Sequence, residues 1–210
     1  MRGADPEHEV GVGPHPEPRP TDDRYDPALL AGGDRRNVAD RYRYWTVEAI
    51  RADLAATARP FHVAIENWRH DLNIGTVVRT ANAFGAGGVH IVGKRQWNKR
   101  GAMVTDRYLE VHHHDRFEGL RRYAADHDLT LIGIDNLPGS RSLLTEPLPE
   151  RCLMVFGQEG PGLSPEARIH VEAVLHIPQV GSTRSINAGV ASGIAMATWA
   201  AQHSATDRSG

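Results

Sequence analysis

Leu153-Met154-Val155-Phe156-Gly157-Gln158-Glu159-Gly160-Pro161-Gly162-Leu163 is an apolar run that stops at a loop of three glycines and a proline. The run has the length and composition of a buried strand. In an open α/β sheet the carboxyl ends of strands are where ligands bind, and glycines there permit tight turns and close approach of backbone amides and carbonyls to a ligand. Taken alone the loop reads equally well as a turn, with Glu159 a solvated acid.

The flanking sequence alternates in the same manner. Phe61 to Ile65, Val89 to Val92, Thr130 to Asp135 and Val174 to Ile177 read as further strands. Helices are expected from Ile74 to Phe84, closed by Gly85, from Phe117 to His127, from Ser164 with Pro165 at its first position, and from Ser185 to about Gln202. Short apolar strands alternating with helices imply an α/β fold: an open, mostly parallel sheet with helices on both faces. In the final helix Gly189, Gly193 and Ala197 recur every four residues and share one side. Such a stripe suits close packing either inside the domain or across a dimer interface.

Residues 1–45 contrast with this pattern, with five prolines in the first twenty positions, many charges and little apolar periodicity. A flexible acidic tail is expected there, with a helical turn near Ala28 to Leu30. The ordered domain is expected over residues 46–205, Thr46 capping a helix that carries Val47, Ile50 and Leu54.

Composition excludes several classes. Cys152 is the only cysteine, so a disulfide within the chain and a multi-thiolate zinc site are both ruled out, and a reducing cytoplasm fits. The N-terminus lacks a basic segment followed by an apolar run, which argues against a secretory signal. The most apolar stretch, Ile186 to Ala201, contains Asn187 and Ser192 and falls short of the roughly 20 residues a membrane span needs. There is no G-x-x-x-x-G-K-[ST] or G-x-S-x-G motif, and Gly85, Gly87 and Gly88 precede a strand instead of following one. His112, His113 and His114 are consecutive and so alternate faces in a strand, which makes them surface or edge histidines and leaves no metal site.

The net charge is −2, yet residues 1–26 hold seven acids against three arginines, a balance of −4 that leaves +2 for the rest. Lys94, Arg95, Lys99, Arg100 and Arg107 meet only Asp106 over fourteen residues, with Trp97 among them. A basic loop carrying an aromatic suits phosphate and base contacts with RNA, and a solvated loop accounts for the same composition.

Two further segments carry polar groups near element ends. Asn73 can cap the helix in which Arg79 sits among Val77, Val78 and Ala81, where a guanidinium snorkels to solvent, pairs with a carboxylate or grips a phosphate. Ser185 and Asn187 follow the polar turn Gly181-Ser182-Thr183 and can be caps of the last helix.

Together the three segments resemble the TrmH/SpoU branch of the SPOUT superfamily, knotted AdoMet-dependent RNA methyltransferases. N-x-G-x-x-x-R-T-A is matched by Asn73, Gly75, Arg79, Thr80 and Ala81, G-x-E-G-x-G-L by Gly157 to Leu163, and an I-P strand end with S-[LIM]-N by Ile177, Pro178, Ser185, Ile186 and Asn187. The resemblance implies a deep C-terminal trefoil knot, a homodimer and S-adenosyl-L-methionine bound in a bent form. By position, the cofactor contacts fall at Ile134, Asn136, Gly157, Gly162, Ile177 and Ile186, and the catalytic set at Arg79, Asn73, Glu159, Ser185 and Asn187. The implied reaction is methylation of a ribose 2'-hydroxyl in tRNA or rRNA, for which the basic loop offers Lys94, Arg95, Lys99 and Arg100 as RNA contacts. A base N-methyltransferase, or a catalytically silent RNA-binding or assembly factor, are the alternatives. His70-Asp71-Leu72 and Gly181 to Arg184 depart from the family pattern without touching the catalytic set, and no separate N-terminal RNA-binding domain is evident.

Overall fold

The computed structural model describes residues 11–67, 73–158 and 160–203. The chain divides into two compact units, Met1–Ala56 and Thr57–Gly210.

The described residues of the first unit, 11–56, are folded, unlike the flexible tail expected over residues 1–45. Helix α1 (Pro27–Gly32) is capped by Asp26, whose Oδ1 accepts from Ala28 N at 2.8 Å, and α2 (Val47–Ala56) by Thr46, whose Oγ1 accepts from Ala49 N at 3.1 Å. Between them Asp34 is fully buried, pairs with Arg36 at 2.7 Å and accepts from Tyr44 N at 2.9 Å. Burial pushes the Asp34 carboxyl up, but the hydrogen bonds from Arg36 and Tyr44 outweigh it and bring it down to about 2. Tyr42, also buried, donates to Asp53 at 2.6 Å and stacks edge-on against Trp45. A charged pair and a few aromatics thus organise the segment, and that kind of core leaves no apolar period in the sequence.

The second unit is a seven-stranded parallel sheet. Its strands are β1 (Arg59–Asn67), β2 (Ala86–Gly93), β3 (Val111–His114), β4 (Thr130–Ile134), β5 (Arg141–Ser142), β6 (Cys152–Phe156) and β7 (Ala173–His176). They lie in the order β3-β2-β1-β6-β4-β7-β5. Its helices are α3 (Ile74–Phe84), α4 (Phe117–Asp126), α5 (Pro165–His170) and α6 (Ala188–His203). Alternation along each strand sorts the two faces. Phe61, Val63 and Ile65 of β1 pack with Met154 and Phe156 of β6 under α3 and α6. Ala64, Leu153 and Val155 face α4 and α5 through Phe117, Leu120 and Ala167.

The small-residue stripe of α6 acts inside the chain. A Cβ added to Gly189 would come within 2.8 Å of Thr76 Cγ2, and one on Gly193 within 3.7 Å of Thr80 Cγ2, both on α3. The helix starts at Ala188, not Ser185, because Asn187 Oδ1 accepts from Gly189 N at 2.9 Å and so ends the preceding loop.

The triple histidine alternates as expected, but its members are not isolated edge residues. His113 turns to Gly93 O at 2.7 Å, whereas His112 and His114 join His62, His90 and Tyr123 on the α4 face. His90 is fully buried, with Nδ1 2.9 Å from His114 Nε2 and Nε2 3.0 Å from His62 Nδ1. Among the described residues, no group of histidines, cysteines and carboxylates is arranged to hold a metal ion, and no helix is long and apolar enough to cross a membrane.

Candidate functional site

The carboxyl ends of β4, β6 and β7 surround a cavity of about 240 Å³. Ile134, Asn136, Gly157, Gly162, Ile177 and Ile186, all expected from the sequence, line it, together with Ser185 and Asn187.

Its rim is built by the glycine loop. Gln158 N donates to Gly162 O at 3.1 Å and Gly162 N to Gln158 O at 3.0 Å, a reciprocal pair that closes the loop into a ring at its base. Gly162 needs its glycine, at φ +69°, and a Cβ on Gly157 would overlap the Gly162 carbonyl. Two carboxylates hold the far side of the loop. Asp135 Oδ2 accepts from Leu163 N at 2.8 Å, and Glu66 Oε2, on a fully buried residue, accepts from Ser164 N at 2.8 Å. Sequence reading assigned neither acid a role. The available signal was position alone, since each stands at the carboxyl end of a strand. Glu159, expected in this loop, lies outside the described residues, as do His70, Asp71 and Leu72.

Asn73 does not cap α3 through its side chain. Its Oδ1 instead accepts from Asn187 Nδ2 at 2.7 Å, joining the first turn of α3 to the last helix at the cavity wall. Gln158 Oε1 and Gln179 Oε1 are buried in the same wall with no hydrogen-bond partner among the described residues. The site therefore offers apolar isoleucines, exposed backbone groups and acceptor oxygens, a lining suited to a flat ring that carries its own N–H and O–H donors.

Arg79 stands apart. It is exposed on α3, about 9 Å along the axis from Asn73 at 1.5 Å per residue, and is not among the cavity's described lining residues.

The basic loop between β2 and β3 contains 3₁₀ turns at Lys99–Ala102 and Thr105–Arg107. Lys94, Arg95, Lys99 and Arg100 are exposed, and Lys99 pairs with Asp106 at 2.8 Å. A second cavity, of about 630 Å³, opens beside Arg95, Trp97, Lys99 and His113. The loop is seated on the first turn of α3, where a Cβ on Gly75 would meet Ala102 N at 2.7 Å.

Residues 60–197 match the model of the SpoU rRNA Methylase family. A curated relative from Mycolicibacterium smegmatis, named an uncharacterized tRNA/rRNA methyltransferase, is 32% identical over 162 residues, covering 71% of this chain and 51% of the relative. The chain thus spans about half the length of the curated relatives it matches. The SpoU methyltransferase AviRb from Streptomyces viridochromogenes, solved in complex with the cofactor AdoMet, is similar with a TM-score of 0.64 at 22% identity, over 75% of this chain and 62% of that one. A structure solved for insight into the 2-OH methylation of C/U34 on tRNA gives 0.62 at 24% identity, over 70% of this chain and 98% of that one. At these identities the structural likeness bears on the fold.

Proposed function

The chain belongs to the SpoU rRNA methylase family, and on that premise we propose that it transfers the methyl group of S-adenosyl-L-methionine to a ribose 2'-hydroxyl of tRNA or rRNA. The observation that carries this reading is the cavity at the carboxyl ends of β4, β6 and β7, with its isoleucines and two carboxamide oxygens that have no partner among the described residues. These residues fit the cofactor. Ile134, Ile177 and Ile186 would hold its apolar ring, backbone groups around Asn136, Gly157 and Gly162 would offer it hydrogen bonds, and Gln158 and Gln179 would accept from its amine and hydroxyl donors.

The sulfonium supplies an already activated methyl group, so the chain has to position the nucleophile and stabilise its oxyanion. A guanidinium stays protonated in proteins, which assigns Arg79 to orienting the 2'-hydroxyl and stabilising the alkoxide while the hydroxyl proton leaves to water. Asn73 and Asn187, joined at 2.7 Å, fix the pocket wall, with Ser185 and Glu159 completing the set. Lys94, Arg95, Lys99 and Arg100 hold RNA phosphates. The exposure of Arg79 away from the cavity supports a homodimer in which it serves the partner's pocket. The trefoil knot belongs to the same proposal, supported by the return of the segment after β7 to give Ser185, Ile186 and Asn187 to the cavity that the glycine loop rims. Work on tRNA or rRNA puts the protein in the cytoplasm.

The test is to incubate the full chain with S-adenosyl-L-methionine and bulk tRNA or rRNA, digest to nucleosides and weigh them. A 2'-O-methyl nucleoside is expected. A methyl group recovered on a base would replace the ribose with a base as target, and failure to bind the cofactor by calorimetry would leave a silent RNA-binding factor.

A further inference from the structure

We propose that Asn67, the last residue of β1, is a positioning residue for RNA capture, setting the basic loop on α3; the inference rests on the RNA reading above. Successive residues of a strand point to opposite faces, and the end of β1 uses both. Glu66 turns to the α5 side and holds Ser164 N at the far end of the glycine loop. Asn67 turns to the α3 side, is fully buried, and donates from Nδ2 to Lys94 O at 2.7 Å and to Gln96 O at 3.0 Å. Its own carbonyl accepts from Lys94 N at 2.8 Å.

One carboxamide nitrogen thus draws together two carbonyls that flank Arg95. With the main chain of residues 94–96 pinned inward, the Lys94 and Arg95 side chains are left exposed. Without this donor neither carbonyl is held in place, so the loop would shift outward and take water as its partner instead. Aspartate cannot replace the amide, because a carboxylate has no protons to offer two oxygens. The second anchor is steric: a Cβ on Gly101 would meet Thr76 N at 3.0 Å, and one on Gly75 would meet Gly101 N at 2.9 Å. Since the same turn of α3 begins at Asn73, which holds Asn187, Asn67 fixes the cations relative to the wall of the methyl-transfer cavity.

The full chain is compared with Asn67→Ala and Asn67→Asp for binding of bulk tRNA over a range of salt, for S-adenosyl-L-methionine affinity by calorimetry, and for methylation kinetics. RNA affinity is expected to fall about tenfold in both variants, as two hydrogen bonds are lost, with a shallower salt dependence. KM for RNA should rise while kcat at saturating RNA and cofactor affinity stay within about twofold. In a Lys94→Ala, Arg95→Ala, Lys99→Ala, Arg100→Ala background, Asn67→Ala should cause no further loss, because its effect runs through those side chains. Unchanged RNA binding, an equal loss in the four-alanine background, or a parallel drop in cofactor affinity would each overturn the assignment. Absence of RNA binding by the unaltered chain would instead sink the RNA reading itself. Should Asn67→Ala not fold, Asn67→Ser keeps one donor and carries the same test with a loss of about threefold.

Discussion

Gly157 has no space for a side chain, since a Cβ there would overlap the Gly162 carbonyl and force open the ring closed by Gln158 and Gly162. Gly157→Ala should therefore weaken S-adenosyl-L-methionine binding by about a hundredfold, with a stability loss of about 1–3 kcal/mol from overpacking. Calorimetry on a variant that folds checks this, and wild-type affinity would mean that the ring does not shape the cofactor pocket. At Cys152, in the middle of the sheet, burial pushes the thiol up to about 12. The thiolate is the reactive form, so a maleimide at neutral pH should leave the native protein unlabelled and label it fully in denaturant. Labelling of the native chain would show that β6 opens readily.

The histidine cluster joins β1, β2, β3 and α4, and it links their packing to pH. Burial first, then the neighbouring His112, His127 and Arg151, lowers His62 to about 4. Burial likewise carries His90 well below its usual value and lowers His114. Tyr123, which covers the cluster, is raised by burial and then by Glu110. Unfolded histidines take up protons near pH 6.5, so the unfolded chain binds more protons below that value. The cluster's stability is then complete above about pH 6.5 and lost as pH falls toward 4, up to about 3 kcal/mol for His62 alone. The urea midpoint should fall between about pH 7.5 and 5, and His62→Gln should flatten that fall. A midpoint constant over the range would contradict the neutral cluster. None of this was legible in the sequence, because the rings meet only through parallel register, His90 opposite His112 and His62 opposite Gly88. Five of the seven strands were legible, since each is a short apolar run bounded by glycine or charge, and so was the cavity, whose walls are strand ends; β3 and β5 were not, because Val111-His112-His113-His114 and Arg141-Ser142 carry no apolar run. The ordered segment 11–56 was not, since a buried Asp34 reads like any surface acid until its partners are placed. Asn73 and Asn187 were each read as caps, and only their 114-residue separation closed up in space shows that one serves the other.

For the whole molecule, the proposed dimer with a shared site makes a quantitative claim. Arg79→Ala and Asn187→Ala should each be nearly inactive alone. Co-expressed, half of the dimers are mixed and half of their sites combine an intact arginine with an intact pocket, so about a quarter of wild-type activity should return. No recovery, with mixed dimers shown to form and both variants folded, would place the whole site in one chain. The strand order carries a different consequence, one of time. β1 sits between β2, which follows it closely, and β6, where His62 pairs with Leu153. During synthesis the Phe61 to Ile65 run therefore waits with one edge open until the chain has grown past residue 156. Pairings so distant in sequence form slowly, and an open apolar edge is a template for other chains. Refolding should accordingly be slow, on the order of milliseconds to seconds or longer, with a yield that falls as protein concentration rises. Stopped-flow fluorescence and recovered activity across a dilution series measure both, and the newborn chain is most exposed to its neighbours on the ribosome in the interval between β1 and β6.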